Sequence, residues 1–164
     1  MFIELEPIFN NLGEKLSFEY ELDLSEYGYD GIFPFKAPVM VKGVVKNTAG
    51  IVELTSDVRV FYDGFCDRCA ESVKREFEFS FFHTLVSSLN NEENDELMLI
   101  EDMRFDLDSL ITEDVFLSLP TKILCSDDCK GLCPKCGVNL NEGACSCKKE
   151  IDPRLAALKE LLEE

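Results

Sequence analysis

Eight cysteines in four close pairs constrain this chain more than any other feature: Cys66-Asp-Arg-Cys69, Cys125-Ser-Asp-Asp-Cys129, Cys133-Pro-Lys-Cys136-Gly and Cys145-Ser-Cys147. Zinc takes four soft ligands at about 2.3 Å, and two residues between cysteines let a loop wrap back so that both sulfurs reach one ion. Four pairs therefore predict two tetrahedral sites, with all eight cysteines as ligands and two Zn²⁺ as cofactors. In Cys133-Pro134-Lys135-Cys136-Gly137, Pro starts the turn and Gly takes a backbone conformation that other residues resist, as in a zinc knuckle. The segment around these tail cysteines has little apolar content and no other means of folding.

The four pairs can be joined into two sites in three ways. Loop closure costs least when ligands are near in the chain, which favours Cys133, Cys136, Cys145 and Cys147 around one ion and Cys66, Cys69, Cys125 and Cys129 around the other. The second grouping would clamp the tail to the strands that flank Cys66 and Cys69. A two-knuckle ribbon of Cys66 and Cys69 with Cys133 and Cys136 stays open. Disulfides suit oxidising compartments, and the acidic start Met-Phe-Ile-Glu-Leu-Glu-Pro is unlike a secretory signal, so a cytoplasmic, reduced protein is expected. Redox cycling through the Cys-x-x-Cys and Cys-x-Cys thiols is the rival to structural zinc.

The rest of the chain reads as an α+β fold. Leu16, Phe18, Tyr20, Leu22 and Leu24 alternate with polar residues, the period of a half-buried strand. Alternation returns from Val39 to Val45 and from Val52 to Tyr62, closed as a hairpin at Asn47–Gly50, and again from Val73 to Phe82. These strands predict an antiparallel sheet or partly closed barrel. Leu107, Leu110, Ile111, Val115 and Leu119 recur at helical spacing after a capping Asp106 and before Pro120, which predicts one covering helix. Asp152-Pro153 opens a short C-terminal helix with Leu155, Leu158 and Leu162 on a stripe that must dock. The expected organisation is a β-rich domain over 1–119, a Cys-rich zinc-binding segment over 120–150, and the C-terminal helix over 151–164.

Charge limits the partners. With 164 residues, 16 Lys and Arg and 33 Asp and Glu, the chain carries −17, and its mean field repels phosphate. Residues 120–149 hold Lys122, Lys130, Lys135, Lys148 and Lys149 against Asp127, Asp128 and Glu142, which is 5 − 3 = +2 and leaves −17 − 2 = −19 elsewhere. Eight thiolates around two dications would contribute −8 + 4 = −4 and offset that positive character. The run Asn90 to Glu96 has nothing apolar to bury and reads as a solvated loop, with a docking site for a basic partner as the alternative.

No catalytic signature stands out: the sequence has no Walker loop, no Gly-x-Gly-x-x-Gly, no Gly-x-Ser-x-Gly and no His-Glu-x-x-His. His83 is the single histidine and reads as a satisfied or surface residue. A metal held by four cysteines leaves no position for water or substrate, so the metal should be structural and the protein not an enzyme. The 13 Phe and 4 Tyr alternate with acids rather than with Lys and Arg, so the sequence carries no RNA-stacking motif. The lysines beside the zinc loops are its best candidate RNA or partner contacts.

At the tail, Leu119-Pro120-Thr121-Lys122, then Cys125-x3-Cys129-Lys130-Gly131-Leu132-Cys133-Pro134-x-Cys136-Gly137-x-Asn139-Leu140-Asn141, then Asp152-Pro153-Arg154-Leu155-Ala156-x-Leu158 resembles the YceD family of large ribosomal RNA subunit accumulation proteins. The upstream Cys66-Asp-Arg-Cys69 matches as well. The resemblance implies a role in 23S rRNA accumulation and ribosome biogenesis. The resemblance implies 23S rRNA or a large-subunit ribosomal protein as partner, and the −19 outside the tail favours a basic protein held on an acidic sheet face. Neither a membrane nor a small-molecule substrate is expected.

Overall fold

The computed structural model describes residues 1–88, 97–100 and 102–147. In chain order the elements are β1 (Phe2–Glu4), α1 (Glu6–Asn10), β2 (Lys15–Leu22), β3 (Val39–Thr48), β4 (Ile51–Phe65), β5 (Ser72–Val86), β6 (Leu97–Leu99), β7 (Arg104–Asp106) and α2 (Leu107–Ser118). The expected loop at Asn90–Glu96, the C-terminal helix from Asp152, and Lys148 and Lys149 lie outside the described residues.

The main sheet has the order β2-β3-β4-β5-β6, and β1 pairs with β7 in a two-stranded sheet. β2 through β5 form the antiparallel meander that alternation predicts. β6 instead joins β5 in parallel, pairing Thr84–Val86 with Leu97–Leu99. The fold is thus α+β with a mostly antiparallel sheet. The sheet is open, so the partly closed barrel is not formed: β2 and β6 are opposite edges, and a three-residue β6 offers the eight residues of β2 no partner.

The β3–β4 hairpin closes on two residues, Ala49 (φ 55°) and Gly50 (φ 92°), between the last pair Thr48 and Ile51. Positive φ at both positions matches the turn to the twist of the strands. Asn47 belongs to β3 and is buried. Its Nδ2 donates to the Ile8 carbonyl at 2.8 Å, while its Oδ1 accepts the Gly50 N–H at 2.9 Å, tying α1 to the turn.

The inner face of the sheet, with Phe18, Val41, Val45, Leu54, Val58 and Val60, joins Leu107, Leu110, Ile111 and Val115 of α2 in one core. Burying each such side chain stabilises by about 1.5–3 kcal/mol. That stripe docks α2 more than does the hydrogen bond between His83 Nε2 and Asp114 Oδ2 at 2.7 Å, since a single side-chain hydrogen bond contributes about 0.5–3 kcal/mol net. His83 is satisfied, as its sequence context implies. α2 has Asp106 at its N-cap position, but the carboxylate makes no cap hydrogen bond and faces the Met1 ammonium instead. One covering helix understates the fold, because α1 also buries Ile8.

The outer face of the sheet corrects the expectation of an acidic docking face. Lys15, Lys42, Lys46, Arg59 and Lys74 stand there among Glu19, Glu21, Glu53, Asp57, Asp63, Glu76 and Glu78, five cations to seven acids. Cross-strand pairs lace them together: Lys42–Glu19 at 2.7 Å, Lys46–Glu53 at 3.0 Å and Arg59–Glu76 at 2.8 Å. A face at 5 − 7 = −2 holds little of the −17.

Candidate metal centres

β4 and β5 pair over fourteen positions, from Val52–Leu85 to Phe65–Ser72. The tip of that long hairpin is the loop Cys66–Glu71, so the sheet itself carries the first cysteine pair. The Cys66 N–H donates to the Glu71 carbonyl at 2.8 Å, and the Ala70 N–H donates to the Cys66 carbonyl at 2.9 Å, with Ala70 at φ 58°. The loop at Cys133 repeats this pattern: Cys133 N–H to the Val138 carbonyl at 2.8 Å, Gly137 N–H to the Cys133 carbonyl at 2.9 Å, and Gly137 at φ 72°. Both are knuckles, and Ala70 occupies the left-handed position that Gly137 fills in the other.

After α2 the chain crosses to the first knuckle through Asp67 and Ile123. The Asp67 N–H donates to the Ile123 carbonyl at 3.0 Å, and the Ile123 N–H donates back to Asp67 Oδ2. Arg68 Nη1 then donates to the Cys129 carbonyl at 2.9 Å. Gly131 (φ 75°) passes so close that a Cβ there would lie 3.0 Å from the Arg68 carbonyl oxygen, which explains a glycine in the linker between the cysteine pairs.

The sulfurs gather as two groups of four, Cys66, Cys69, Cys125 and Cys129 in the first and Cys133, Cys136, Cys145 and Cys147 in the second, each within 4.8 Å of one another. This is the grouping by sequence proximity, and the two-knuckle ribbon is not formed. Sulfur separations are 3.7 Å for Cys66–Cys129, 3.5 Å for Cys69–Cys125 and 3.4 Å for Cys133–Cys145. Four ligands about 2.3 Å from a tetrahedral centre stand about 3.8 Å apart, whereas a disulfide needs about 2.05 Å. All eight are free thiols, and both groups fit a metal ion such as zinc. Bound there, the ion would supply crosslinking rather than chemistry, since four sulfurs fill its coordination.

Electrostatics point the same way. Burial opposes ionisation of Cys66, but backbone N–H groups of Arg68, Cys125 and Cys69 outweigh it and bring the thiol down to about 6. The backbone N–H groups of Cys136 and Lys135 likewise bring Cys133 down to about 6. At Cys69 the Glu71 N–H favours the thiolate, yet burial and the sulfurs of Cys66, Cys125 and Cys129 push it up to about 12. Cys147, beside Cys136 and then partly desolvated, is also pushed up to about 12. Each group accepts at least one negative charge readily and resists the last, a resistance that a dication at the centre would remove.

Burial separates the groups. Cys66, Cys69 and Cys129 are buried and Cys125 half-buried; in the second group only Cys133 is buried and Cys136 is exposed. Of the lysines named from sequence, Lys122, Lys130 and Lys135 are exposed around these loops. Sequence reasoning assigned no role to the polar side chains that join them: Asp67, Arg68, Glu71, Asn139 and Asn141. Asn139 Nδ2 donates to Glu71 Oε1 at 2.6 Å, and Asn141 Nδ2 donates to Cys129 Sγ at 3.3 Å. Only the spacing Cys136-Gly-x-Asn139-x-Asn141 hinted at them.

The family model described as Large ribosomal RNA subunit accumulation protein YceD matches residues 54–162, which include both knuckles. An uncharacterized protein of Mycobacterium tuberculosis is 33% identical over 122 residues, covering 72% of this chain and 59% of its own length. The uncharacterized protein YlbN of Bacillus subtilis is 33% identical over 107 residues, covering 60% of this chain and 59% of its own. A protein of Arabidopsis thaliana named Large ribosomal RNA subunit accumulation protein YCED homolog 1, chloroplastic, is 27% identical over 149 residues, covering 72% of this chain and 46% of its own. The chain thus spans about half the length of the curated relatives it matches. No solved structure matches it. Among the described residues no helix is long and apolar enough to cross a membrane.

Proposed function

The chain belongs to the YceD family of large ribosomal RNA subunit accumulation proteins, and from that premise we propose that it is a non-enzymatic zinc-binding factor supporting 23S rRNA accumulation and large-subunit biogenesis. The observation that carries this reading is the coincidence of the family match with two closed four-sulfur groups built into the tail and the sheet tip. All eight cysteines, Cys66, Cys69, Cys125, Cys129, Cys133, Cys136, Cys145 and Cys147, are its ligands, two zinc ions per chain. A reducing compartment such as the cytoplasm suits eight free thiols.

The partner is 23S rRNA or a basic large-subunit ribosomal protein. Lys122, Lys130 and Lys135, with Lys148 and Lys149, are its RNA- or partner-binding residues, because the mixed outer face of the sheet offers no single-sign surface. In this reading residues 120–150 work as the contact segment, 1–119 as its support, and 151–164 as a separate docking helix. The test is depletion of the protein followed by measurement of 23S against 16S rRNA. A selective fall in 23S, restored by the wild-type chain and not by K122E/K130E/K135E, supports the reading; unchanged 23S on depletion refutes it.

One observation favours a second reading, a redox-switched zinc protein: Cys136 is exposed, and Cys145 and Cys147 beside it are only half-buried. Peroxide that forms disulfides in the second group, releases zinc and switches on an activity would favour it over the structural role.

A further inference from the structure

We infer that Asn141 couples the two cysteine groups, so that metal in the second group strengthens metal binding in the first. The inference rests on the zinc reading above and concerns a positioning residue, not a ligand. Asn141 lies on the segment that returns from the second knuckle. That segment is pinned by the Cys133 N–H to Val138 carbonyl bond at 2.8 Å, the Leu132–Asn139 bridge and the Leu140 N–H to Gly131 carbonyl bond at 2.9 Å. From there the Asn141 side chain reaches back to the other group.

Which end of the amide faces which partner is settled by the network. The Lys130 N–H can only donate, and it donates to Asn141 Oδ1 at 2.7 Å, which turns Nδ2 toward Cys129 Sγ at 3.3 Å. Asn139 adds a second tie, accepting the Asn141 N–H on its Oδ1 at 3.0 Å while its Nδ2 holds Glu71 of the first knuckle. Cys129 is buried, with 2% exposure, so water gives it little alternative solvation. An N–H donor aimed at that sulfur fixes the direction of the ligand and offsets part of the negative charge that four sulfurs gather around one ion.

Four thiolates and one dication leave a net charge of about −2 at each centre. Repulsion between the two centres opposes double loading, and a donor on a shared boundary offsets it. The loop that places Asn141 is ordered by the second group, so emptying that group removes the donor from the first. By linkage, an ion in the first group strengthens binding in the second by the same factor.

The test uses the full chain and zinc alone, titrated against a chromophoric chelator. Outer-shell partners of metal ligands are typically worth about 10–100-fold in affinity. The first group should therefore lose about tenfold or more in a C145S/C147S chain, whose second group is disabled, and in N141A. N141D keeps the acceptor for the Lys130 N–H but turns a carboxylate oxygen toward Cys129 Sγ in place of the donor, so it should lose at least as much as N141A with the loop retained. In the cobalt-substituted protein, N141D should shift the thiolate-to-metal charge-transfer absorption of the first group to the red, a change that mere loosening of the fold does not produce. A wild-type chain that binds fewer than two ions overturns the zinc reading and this inference with it. Two ions in the wild type, with first-group affinity within threefold in C145S/C147S and in N141D, overturns the coupling alone.

Discussion

The knuckle at Cys66–Cys69 closes a hairpin of fourteen paired positions, whereas the knuckle at Cys133–Cys136 closes a loop whose sheet-like pairing, among the described residues, is the single bridge Leu132–Asn139. Their backbone hydrogen bonds agree to within 0.1 Å at 2.8 and 2.9 Å, so the local geometry is the same and only the surroundings differ. The sheet supplies the first knuckle with apolar burial before any ion arrives. Among the described residues the second has almost none, and ordering a dozen residues costs about 1–2 kcal/mol each. Structural zinc contributes about 10–16 kcal/mol of apparent binding energy, the same order as that cost. A metal bound at both groups would therefore reinforce the first region and create the second.

Metal removal is the strongest way to break this comparison, and its expected effect is the largest. Stripped with a strong chelator under reducing conditions, residues 133–147 should lose backbone amide protection entirely, while β3, β4 and β5 retain theirs, as residue-resolved hydrogen exchange would record. Protection lost from the central strands together with the tail would mean that the sheet depends on metal as much as the loop does. Protection retained at the Cys133 and Leu140 amides, whose N–H groups donate to the Val138 and Gly131 carbonyls, would mean that the loop folds by other forces.

Acid sharpens the comparison, with a smaller and graded effect. In each metal-free group one thiol lies near 6 (Cys66, Cys133) and one near 12 (Cys69, Cys147). Above pH 6 the first sulfur is already anionic and the remaining protons must leave when the dication enters, so affinity rises with pH. Below 6 that sulfur is protonated too, more protons compete, and affinity falls steeply. Both groups follow the same sign, so exposure decides the order: the second group, with Cys136 open to solvent, should release its ion first as pH is lowered from 7.5 to 5. A zinc indicator applied to the full chain and to single-group Cys→Ser variants reads the order; first release from the buried group contradicts it.

Much of this was legible in the sequence wherever one local rule governed. Strand alternation placed Phe18, Val41, Val58 and Val60 inside, and the Leu107–Leu119 spacing marked α2 to within a residue at its end. Cysteine proximity gave the grouping of sulfurs, because loop closure is a property of chain separation. The unread parts depend on partners distant in sequence. α1 is five residues long, too short for a period to show, and is held by Asn47 from 38 and 39 residues away. β6 is three residues and joins in parallel, which no hairpin turn announces. Tallying charges put the excess acid outside the tail, but strand register decided that the outer face would be an ion-pair lattice instead of an acidic one. Asn139 and Asn141 look like loop residues until the first knuckle is placed beside them.

The smallest expected effect tests whether the two knuckles are truly one geometry. Each needs a residue in the left-handed region, at Ala70 with φ 58° and at Gly137 with φ 72°. A side chain there costs about 1–2 kcal/mol, part of which glycine returns as lost chain entropy on folding. G137A meets no atom within 4 Å of the new Cβ, so its cost is the backbone term alone, about 1 kcal/mol, and it should appear as a weaker hold on the second ion. A70G runs the exchange in reverse and should stabilise the metal-loaded protein by up to about 1 kcal/mol, raising the melting temperature by a few degrees at most. The sheet-borne knuckle tolerates its strained alanine because the hairpin and core hold the loop in place, whereas the tail knuckle has no comparable support among the described residues and uses glycine. If A70G lowers the melting temperature while G137A leaves metal binding untouched, the left-handed positions are not equivalent and the shared backbone pattern does not extend to the energetics.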